Sequence, residues 1–550
     1  MHLDLIAGVL VVLSFLLTLW QWWVGSRWDR ARSRAHGPEF KVQSSRFKVQ
    51  GSASAENNTS DRFPGVTVLK PLKGADAATE DCLRSWFTQK YAGPLQILFA
   101  VAGSETSNQY SVTSNQDPVS NIEHALSSFQ HPVSSISNTL PHPPQRDGSA
   151  QASPRPLGAP ERSAGGSPLA PHLSPDPACE IVERLLREFP DADAQLVVSG
   201  PLAGPNSKVS KLAQLEPLAK HDILIISDAD VRVPPELVSN IVQTFEMDRR
   251  KTTIHGPQTT DHGSRTTDHG LRTTDLGSIQ HPVPAGPGPQ LVTCFYRLAN
   301  PSNLAMQWEA ISINADFWSQ VLQGISLKPL DFALGAVMAV RRGALQEIGG
   351  FGALVNCLAD DYQLGHRIAQ RGHRLEICPV VVECWDEPLG WRAVWKHQLR
   401  WARTIRVCQP VPYFISILGN ATLWPLLWLA ISRSWLSLAV TAVLLLFRVF
   451  TARDLYGRIA DSSSARAEFR VQGRVEGRGS RVEVQCSMLN AQCSMLNDRI
   501  NGLPLRLAWL VPLKDLLQVF VWLLAFLGNR IEWRGQKFQM NRDGTLVCSQ

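Results

Sequence analysis

"HDILIISDADVRVPP", residues 221–235, sets the apolar run Ile223 to Ile226 directly before two acids one residue apart. A short continuous apolar run bounded by turn formers has the pattern of a strand buried on both faces. Asp228 and Asp230 stand where that strand has to stop. Upstream, "GVTVLKPLKG" (65–74), "LQILFAVAG" (95–103) and "AQLVVSG" (194–200) read as three more strands. "DPACEIVERLLREF" (176–189) places apolar residues at helical spacing between the second and third. This order predicts an α/β domain with a doubly wound sheet, in which ligands gather beyond the carboxyl ends of the strands.

Two carboxylates at i and i+2 off a strand end repel one another unless a cation joins them. A hard divalent ion with oxygen ligands, itself bridging a diphosphate, meets that need. A pair of solvated turn acids is the plainer reading, since Asp is common where strands end.

The 550 residues are enough for two or three domains and a large core. The net charge of +6 is mild, and much of the Arg flanks apolar runs instead of forming one basic stripe, which argues against a nucleic-acid partner. Ten cysteines without a C-x-x-C pair or zinc-like spacing predict free thiols in a reducing compartment.

Leu5 to Val24 carries no charge and reaches the ~20 residues that span a bilayer. It ends in Trp20, Trp22 and Trp23 and is followed by "SRWDRARSR", so residues 1–30 read as a transmembrane anchor with a cytoplasmic C-terminal flank. Residues 60–400 then form a cytoplasmic domain and 401–550 a membrane region. Spans are expected at about 411–431 and 435–450. A further stretch at 503–527 is interrupted by Pro504, Arg506, Pro512, Lys514 and Asp515, and suits a re-entrant element as well as a crossing. Residues 104–173, 251–289 and 461–500 are polar, biased or internally duplicated, for example "TTDHGSRTTDHGLRTTDLGS" and "QCSMLNAQCSMLN", and read as disordered insertions.

With the insertions removed, the chain resembles the ceramide glucosyltransferase family, including its bacterial members and the similar hopanoid-biosynthesis enzymes. The resemblance rests on "VTVLKPLKGAD", "DPACEIVERLL", "GPNSKVSKL", "ISDADVRVPPELV", "LADDYQLGHRIAQRGHRLE", "HQLRWARTIR" and "IEWRGQKF", which occur in that order. It implies a GT-A-like inverting transferase that moves a hexose from UDP-glucose or a similar UDP-sugar to a lipid hydroxyl such as that of ceramide or a hopanoid. The family setting is a multi-pass protein of a bacterial inner membrane.

By the same resemblance Lys70 and Pro71 belong to the nucleotide loop and Asp176 orients the nucleotide or sugar. Asp228 and Asp230 hold Mg2+ or Mn2+, and Lys208 and Arg400 lie near the leaving UDP, whose developing negative charge needs cations. Asp361 is the base that takes the acceptor proton, with Asp360 capping or binding beside it. Arg400 and Trp401 match the family's Arg-Trp signature, while His397 stands where Gln or Arg is usual. The stretch "GWRAVWKHQLRWARTIR" interleaves Trp with Arg and Lys and reads as a helix lying on the bilayer surface. Three other classes share parts of this pattern: a processive polysaccharide synthase, a dolichyl- or polyprenyl-phosphate glycosyltransferase, and an inactive membrane scaffold.

Overall fold

A computed structural model describes residues 2–35, 63–103, 176–253, 288–461, 503–533, 536–541 and 544–548. The segments read as insertions lie outside the described residues, except for 251–253, 288–289 and 461 at their ends. None of the seven described cysteines is in a disulfide.

The apolar run of the opening quotation is β4 (Ile223–Ser227), and all four of its aliphatic residues have no exposed surface. Successive side chains of a strand point to opposite faces, so a strand buried on both needs two cores. Ile223 and Ile225 enter one core, with helices Thr79–Phe87, Pro177–Glu188 and Leu237–Thr253. Leu224 and Ile226 enter the other, with helices Ser207–Leu215, Arg342–Glu347 and Asp360–Gln370.

Beside β4 runs β1 (Val66–Pro71), then β2 (Leu95–Ala102) and β3 (Asp193–Ser199), all parallel. This is the doubly wound half read from the sequence. On the other side of β4 the sheet becomes mixed. β7 (Val337–Arg341) pairs antiparallel with β4, followed by β6 (Leu291–Leu298), β8 (Leu375–Cys384) and the two-residue edge strand β5 (Val231–Arg232). The chain therefore leaves the middle of the eight-stranded sheet at Ser227, turns through Asp228, Ala229 and Asp230, and reappears at its far edge.

Among the described residues three helices are long and apolar enough to cross a membrane: His2–Arg32, Trp435–Ala460 and Leu505–Ala525. The first belongs to a helix of 34 residues, about 50 Å long against the roughly 30 Å of a hydrocarbon core. Its later turns pack on the α/β domain, with Trp28 against Phe295 and Trp318 at 5.2 and 5.7 Å between ring centroids. The stretch expected to cross at 411–431 forms two short helices, Pro410–Gly419 and Leu423–Ser432, bent by 53°, the shape of a broken span or of a re-entrant loop. Asn420 makes the break by accepting from the backbone N–H groups of Thr422 and Leu423.

The charge-interrupted stretch, by contrast, forms one continuous apolar helix because its charges are matched internally. Asp515 takes two hydrogen bonds of 2.8 Å from the Arg448 guanidinium and one of 2.7 Å from Thr422. Lys514 pairs with Asp316, which also receives Arg448 at 2.9 Å. All four charged residues are buried, and such groups survive in an apolar setting only when paired. Asp316 comes from a π-helical turn, Ser312–Phe317, so the quartet locks the α/β domain to the two long C-terminal helices.

Helix Asp360–Gln370 lies so close to the chain at 332–333 that a Cβ on Gly365 would sit 2.3 Å from the Ala333 backbone nitrogen. Backbone cannot yield as a side chain does, so Gly365→Ala should destabilise the domain by about 1–3 kcal/mol, as overpacking does. Gly343→Ala, whose Cβ meets nothing within 4 Å, should be neutral or slightly stabilising. Thermal unfolding of the two detergent-solubilised variants checks the contrast.

Candidate active site

Lys70, at the end of β1, is completely buried. Its ammonium donates to the Ser227 hydroxyl at 3.2 Å and to the Asp228 carbonyl, and lies 5.6 Å over the Trp86 ring. Burial pulls its pKa down to about 8, against the nearby acids Asp230 and Asp228. Lys70 thus holds the backbone of the acidic turn from beneath. Pro71 closes β1, and three residues later the Gly74 N–H donates to both oxygens of Asp176 at 3.0 and 3.2 Å. Asp176 also caps helix Pro177–Glu188 by accepting from the Ala178 N–H, so it ties the loop after β1 to a helix N-terminus.

Asn206 caps the next helix, Ser207–Leu215, accepting from the Lys208 and Val209 N–H groups while its amide donates to the Cys357 carbonyl at 2.8 Å. The cap aims Lys208 into the site. Its ammonium contacts Asp228 at 2.7 Å and Asp360 at 3.1 Å. Burial works against this charge, but Asp228, Asp360 and Asp361 more than reverse it and hold the ammonium well above its ordinary pKa. The acids of the β4 turn and those at the start of helix Asp360–Gln370 are therefore joined by one cation.

Asp361 feels the Lys208 charge, while the ion pairs of Lys208 go to Asp228 and Asp360. Its carboxylate takes the Tyr362 N–H at 2.7 Å and lies against Gly335, where a Cβ would sit 2.7 Å from Oδ2. Burial and the neighbouring Asp360 push it up to about 6. Asp230 is pushed up to about 7, first by burial, then by Asp228 and Asp386. Two half-buried acids thus hold protons more tightly than a solvated carboxylate does, the pattern expected where acids outnumber cations.

His397, Arg400 and Trp401 lie on helix Trp391–Cys408. Its tryptophans turn partly toward protein: Trp391 stacks on the buried Trp308 at 5.9 Å and Trp395 tilts against it at 5.8 Å, although Trp391 remains 49% exposed. Trp401 lies 6.2 Å from Phe317, which in turn lies 5.5 Å from Tyr296. Burial and the surrounding Cys384, Asp361, Asp228 and Glu309 hold the Tyr296 phenol well above its ordinary pKa. Arg400 is partly exposed beside Trp401.

His397 packs edge-on against Trp401 at 4.7 Å and donates from Nδ1 to Glu309 Oε1 at 2.7 Å. The Gln398 amide reaches the same oxygen at 3.0 Å. Glu309 is 1% exposed, and its Oε2 is buried with no hydrogen-bond partner among the described residues. Sequence reasoning passed over Glu309, Asp386, Tyr296 and Gly335. A lone acid in the otherwise apolar run "LAMQWEAI" was the available signal for Glu309.

Among the described residues no group of three or more His, Cys, Asp and Glu side chains is placed to enclose an ion. Asp228 is 37% exposed at its side chain, and Asp230 lies close enough for the like charges to matter. Two such acids fit a hard divalent ion that takes its remaining ligands from diphosphate oxygens and water, as Mg2+ and related ions do at phosphate sites.

The profile of glycosyl transferase family 21 matches residues 39–112, 170–269, 271–472 and 481–546. The chain is 24% identical over 198 residues to the ceramide glucosyltransferase of Candida albicans, covering 34% of this chain and 24% of that protein. It is 30% identical over 69 residues to the probable glycosyltransferase YdaM of Bacillus subtilis, covering 12% of this chain and 16% of that one. The chain thus matches less than a quarter of the length of either relative. Among solved structures, the mannosyltransferase PcManGT from Pyrobaculum calidifontis, in complex with GDP-Man and Mn2+, aligns with a TM-score of 0.37 and 15% identity over 96% of this chain and 98% of that one. Glucosyl-3-phosphoglycerate synthase from Mycobacterium tuberculosis, in complex with Mn2+, UDP and phosphoglyceric acid, aligns with a TM-score of 0.28 and 12% identity over 66% and 80%. Because the family's four matched segments take in Asp176, Lys208, both acid pairs and the Arg400–Trp401 helix, the α/β domain is GT-A-like and the chain belongs to glycosyl transferase family 21.

Proposed function

We propose that this protein is a membrane-embedded inverting transferase that moves a hexose from a UDP-sugar such as UDP-glucose to a lipid hydroxyl, with ceramide or a hopanoid as acceptor class. One observation carries the reading: Lys208 spans Asp228 and Asp360, so the acids beyond β4 and the acid pair at 360–361 face a single centre. A diphosphate leaving group needs positive charge on one side of the sugar, and inversion needs a base on the other.

In this arrangement Asp228 and Asp230 would hold Mg2+ or Mn2+ against the diphosphate, and the ion would supply charge stabilisation to the departing UDP. Lys70 keeps the turn that presents these acids rigid, and Asp176 fixes the loop that faces the nucleotide. The Lys208 ammonium lies beside Asp228 and adds charge where UDP leaves. On the opposite side Asp361 takes the proton of the acceptor hydroxyl. The hydroxyl oxygen forms the new bond to the anomeric carbon as the bond to the UDP oxygen breaks, and configuration inverts. Arg400 and Trp401, on the helix that leads into the apolar segments, line the side from which a lipid arrives. The three long apolar helices support placement in a membrane, and the Arg-rich sequence after the first supports a cytoplasmic, bacterial inner-membrane orientation.

Asp228→Asn and Asp230→Asn should weaken ion-dependent UDP binding, measured by titration with and without Mn2+, because an amide offers a dipole where the ion needs a charge. Asp361→Asn should leave that binding nearly unchanged and slow transfer on the order of 10²-fold. The reading fails if Asp361→Asn abolishes UDP binding while Asp228→Asn transfers sugar at the normal rate.

Since Asp361 is pushed up to about 6, it carries a proton below that pH and cannot accept another. Turnover should therefore rise with pH through about 6 and level off above it, and Asp361→Asn should remove this limb. Gly335→Ala should act on the same group from outside. A methyl 2.7 Å from Oδ2 must displace the carboxylate, so transfer should fall while UDP affinity holds. Equal losses of both in this variant would count against a role confined to the base.

A further inference from the structure

The last described residues form a small antiparallel sheet, β9 (Arg530–Trp533), β10 (Gln536–Met540) and β11 (Leu546–Cys548), in the order β11-β10-β9. Three strands this short do not hold themselves together in water without an apolar face to pack. The face they use is the loop that leads into Asp360 and Asp361. Thr545 bridges Cys357, flanked by hydrogen bonds from the Leu358 N–H to the Gly544 carbonyl at 3.4 Å and from the Leu546 N–H to the Asn356 carbonyl at 2.8 Å. Leu358 closes a buried cluster with Ile531, Phe538, Met540 and Leu546, and Val407 of helix Trp391–Cys408 packs on it.

The other side of the sheet grips that helix. Lys396 pairs with Glu532 at 2.8 Å, Arg403 donates to the Arg530 carbonyl, and Arg406 donates to the Asn529 side-chain oxygen. The two gripped elements also meet directly, where the Tyr362 hydroxyl donates to the Cys408 carbonyl at 3.0 Å and accepts from the Gln409 amide at 2.9 Å. Asp176, Asp228 and Asp230 are instead held chiefly by β1, β4 and helix Pro177–Glu188, with Lys208 as the link from Asp228 to Asp360.

We infer that the C-terminal sheet is a clamp that sets the Asp360–Asp361 loop in register with the Arg400–Trp401 helix, so that sugar transfer depends on it and donor binding does not. This rests on the function proposed above. Phe538, at the centre of the buried cluster and 1% exposed, is a positioning residue, acting through Leu358 on the base. A misplacement of about 1 Å in a reacting group is enough to cost on the order of 10²-fold in rate.

The full chain in detergent, with UDP-glucose as donor and ceramide as acceptor, provides the test. Phe538→Ala should lower kcat at least about 10-fold while the Kd for UDP stays within about 3-fold. Cys357 and Thr545 form the non-hydrogen-bonded kind of antiparallel pair, with Cα atoms typically about 4.5 Å apart, within reach of a disulfide. Adding Thr545→Cys to Phe538→Ala and treating with diamide, which takes up two electrons and two protons as the thiols join, should restore kcat, and reduction should abolish it again. Unchanged kcat in Phe538→Ala, or loss of UDP binding in step with kcat, overturns the proposal. An unsubstituted chain that binds UDP but glycosylates no lipid overturns the parent reading and this one with it.

Discussion

One ammonium organises the site. Lys208 is fixed by a helix cap at Asn206 and reaches two carboxylates that belong to distant parts of the chain, Asp228 after β4 and Asp360 at a helix start. Acids converge in a half-buried space only if a cation compensates them, and removing one partner of such a pair leaves the others uncompensated at a cost of several kcal/mol. The same residue that joins the two halves therefore sets how closely they approach. Lys208 and Lys70 together do not neutralise Asp228, Asp230, Asp360 and Asp361, and burial with the remaining like charge holds Asp230 and Asp361 above the ordinary carboxylate range. A divalent ion on one side and a proton taken from an acceptor on the other are the two ways it can be relieved.

Around this centre the chain uses buried polar contacts as spacers. Lys70 supports the turn from below and Asp176 bridges a loop to a helix. Glu309, sealed at 1% exposure, fixes both His397 and Gln398. A histidine held through Nδ1 keeps its ring orientation, which gives the departure from Gln or Arg at this position a definite geometry. Its edge-on contact with Trp401 carries that orientation along the helix.

The first four strands were legible because each is short and rich in aliphatic residues, and Asp228 and Asp230 were legible because they end the apolar run of β4. The second half of the sheet was not. β5 is only two residues long, and β8 contains Pro379, which in sequence argues against a central strand. The proline is accommodated where the β6–β8 register slips, between the pairs Cys294–Cys378 and Tyr296–Val382. The helix at Leu505–Ala525 escaped a firm reading for a similar reason. Its Lys514 and Asp515 look disqualifying until their partners are known, and those lie 198 and 67 residues away. Motif spacing located the site acids individually, but Gly335 and Glu309 belong to the site through contacts that no local pattern encodes.

The quartet of Asp316, Arg448, Lys514 and Asp515 draws on three separate parts of the chain. Translation delivers Asp316 first, Arg448 later and the Lys514–Asp515 pair last. Until the final helix emerges, Arg448 on helix Trp435–Asp461 has only the Asp316 carboxylate to meet, and that acid belongs to the α/β domain. An unmatched Arg in hydrocarbon is costly, and the pair with Asp316 matches it from outside the helix. In the membrane placement proposed above, the α/β domain thus supplies the counter-charge for an arginine on one of the long apolar helices.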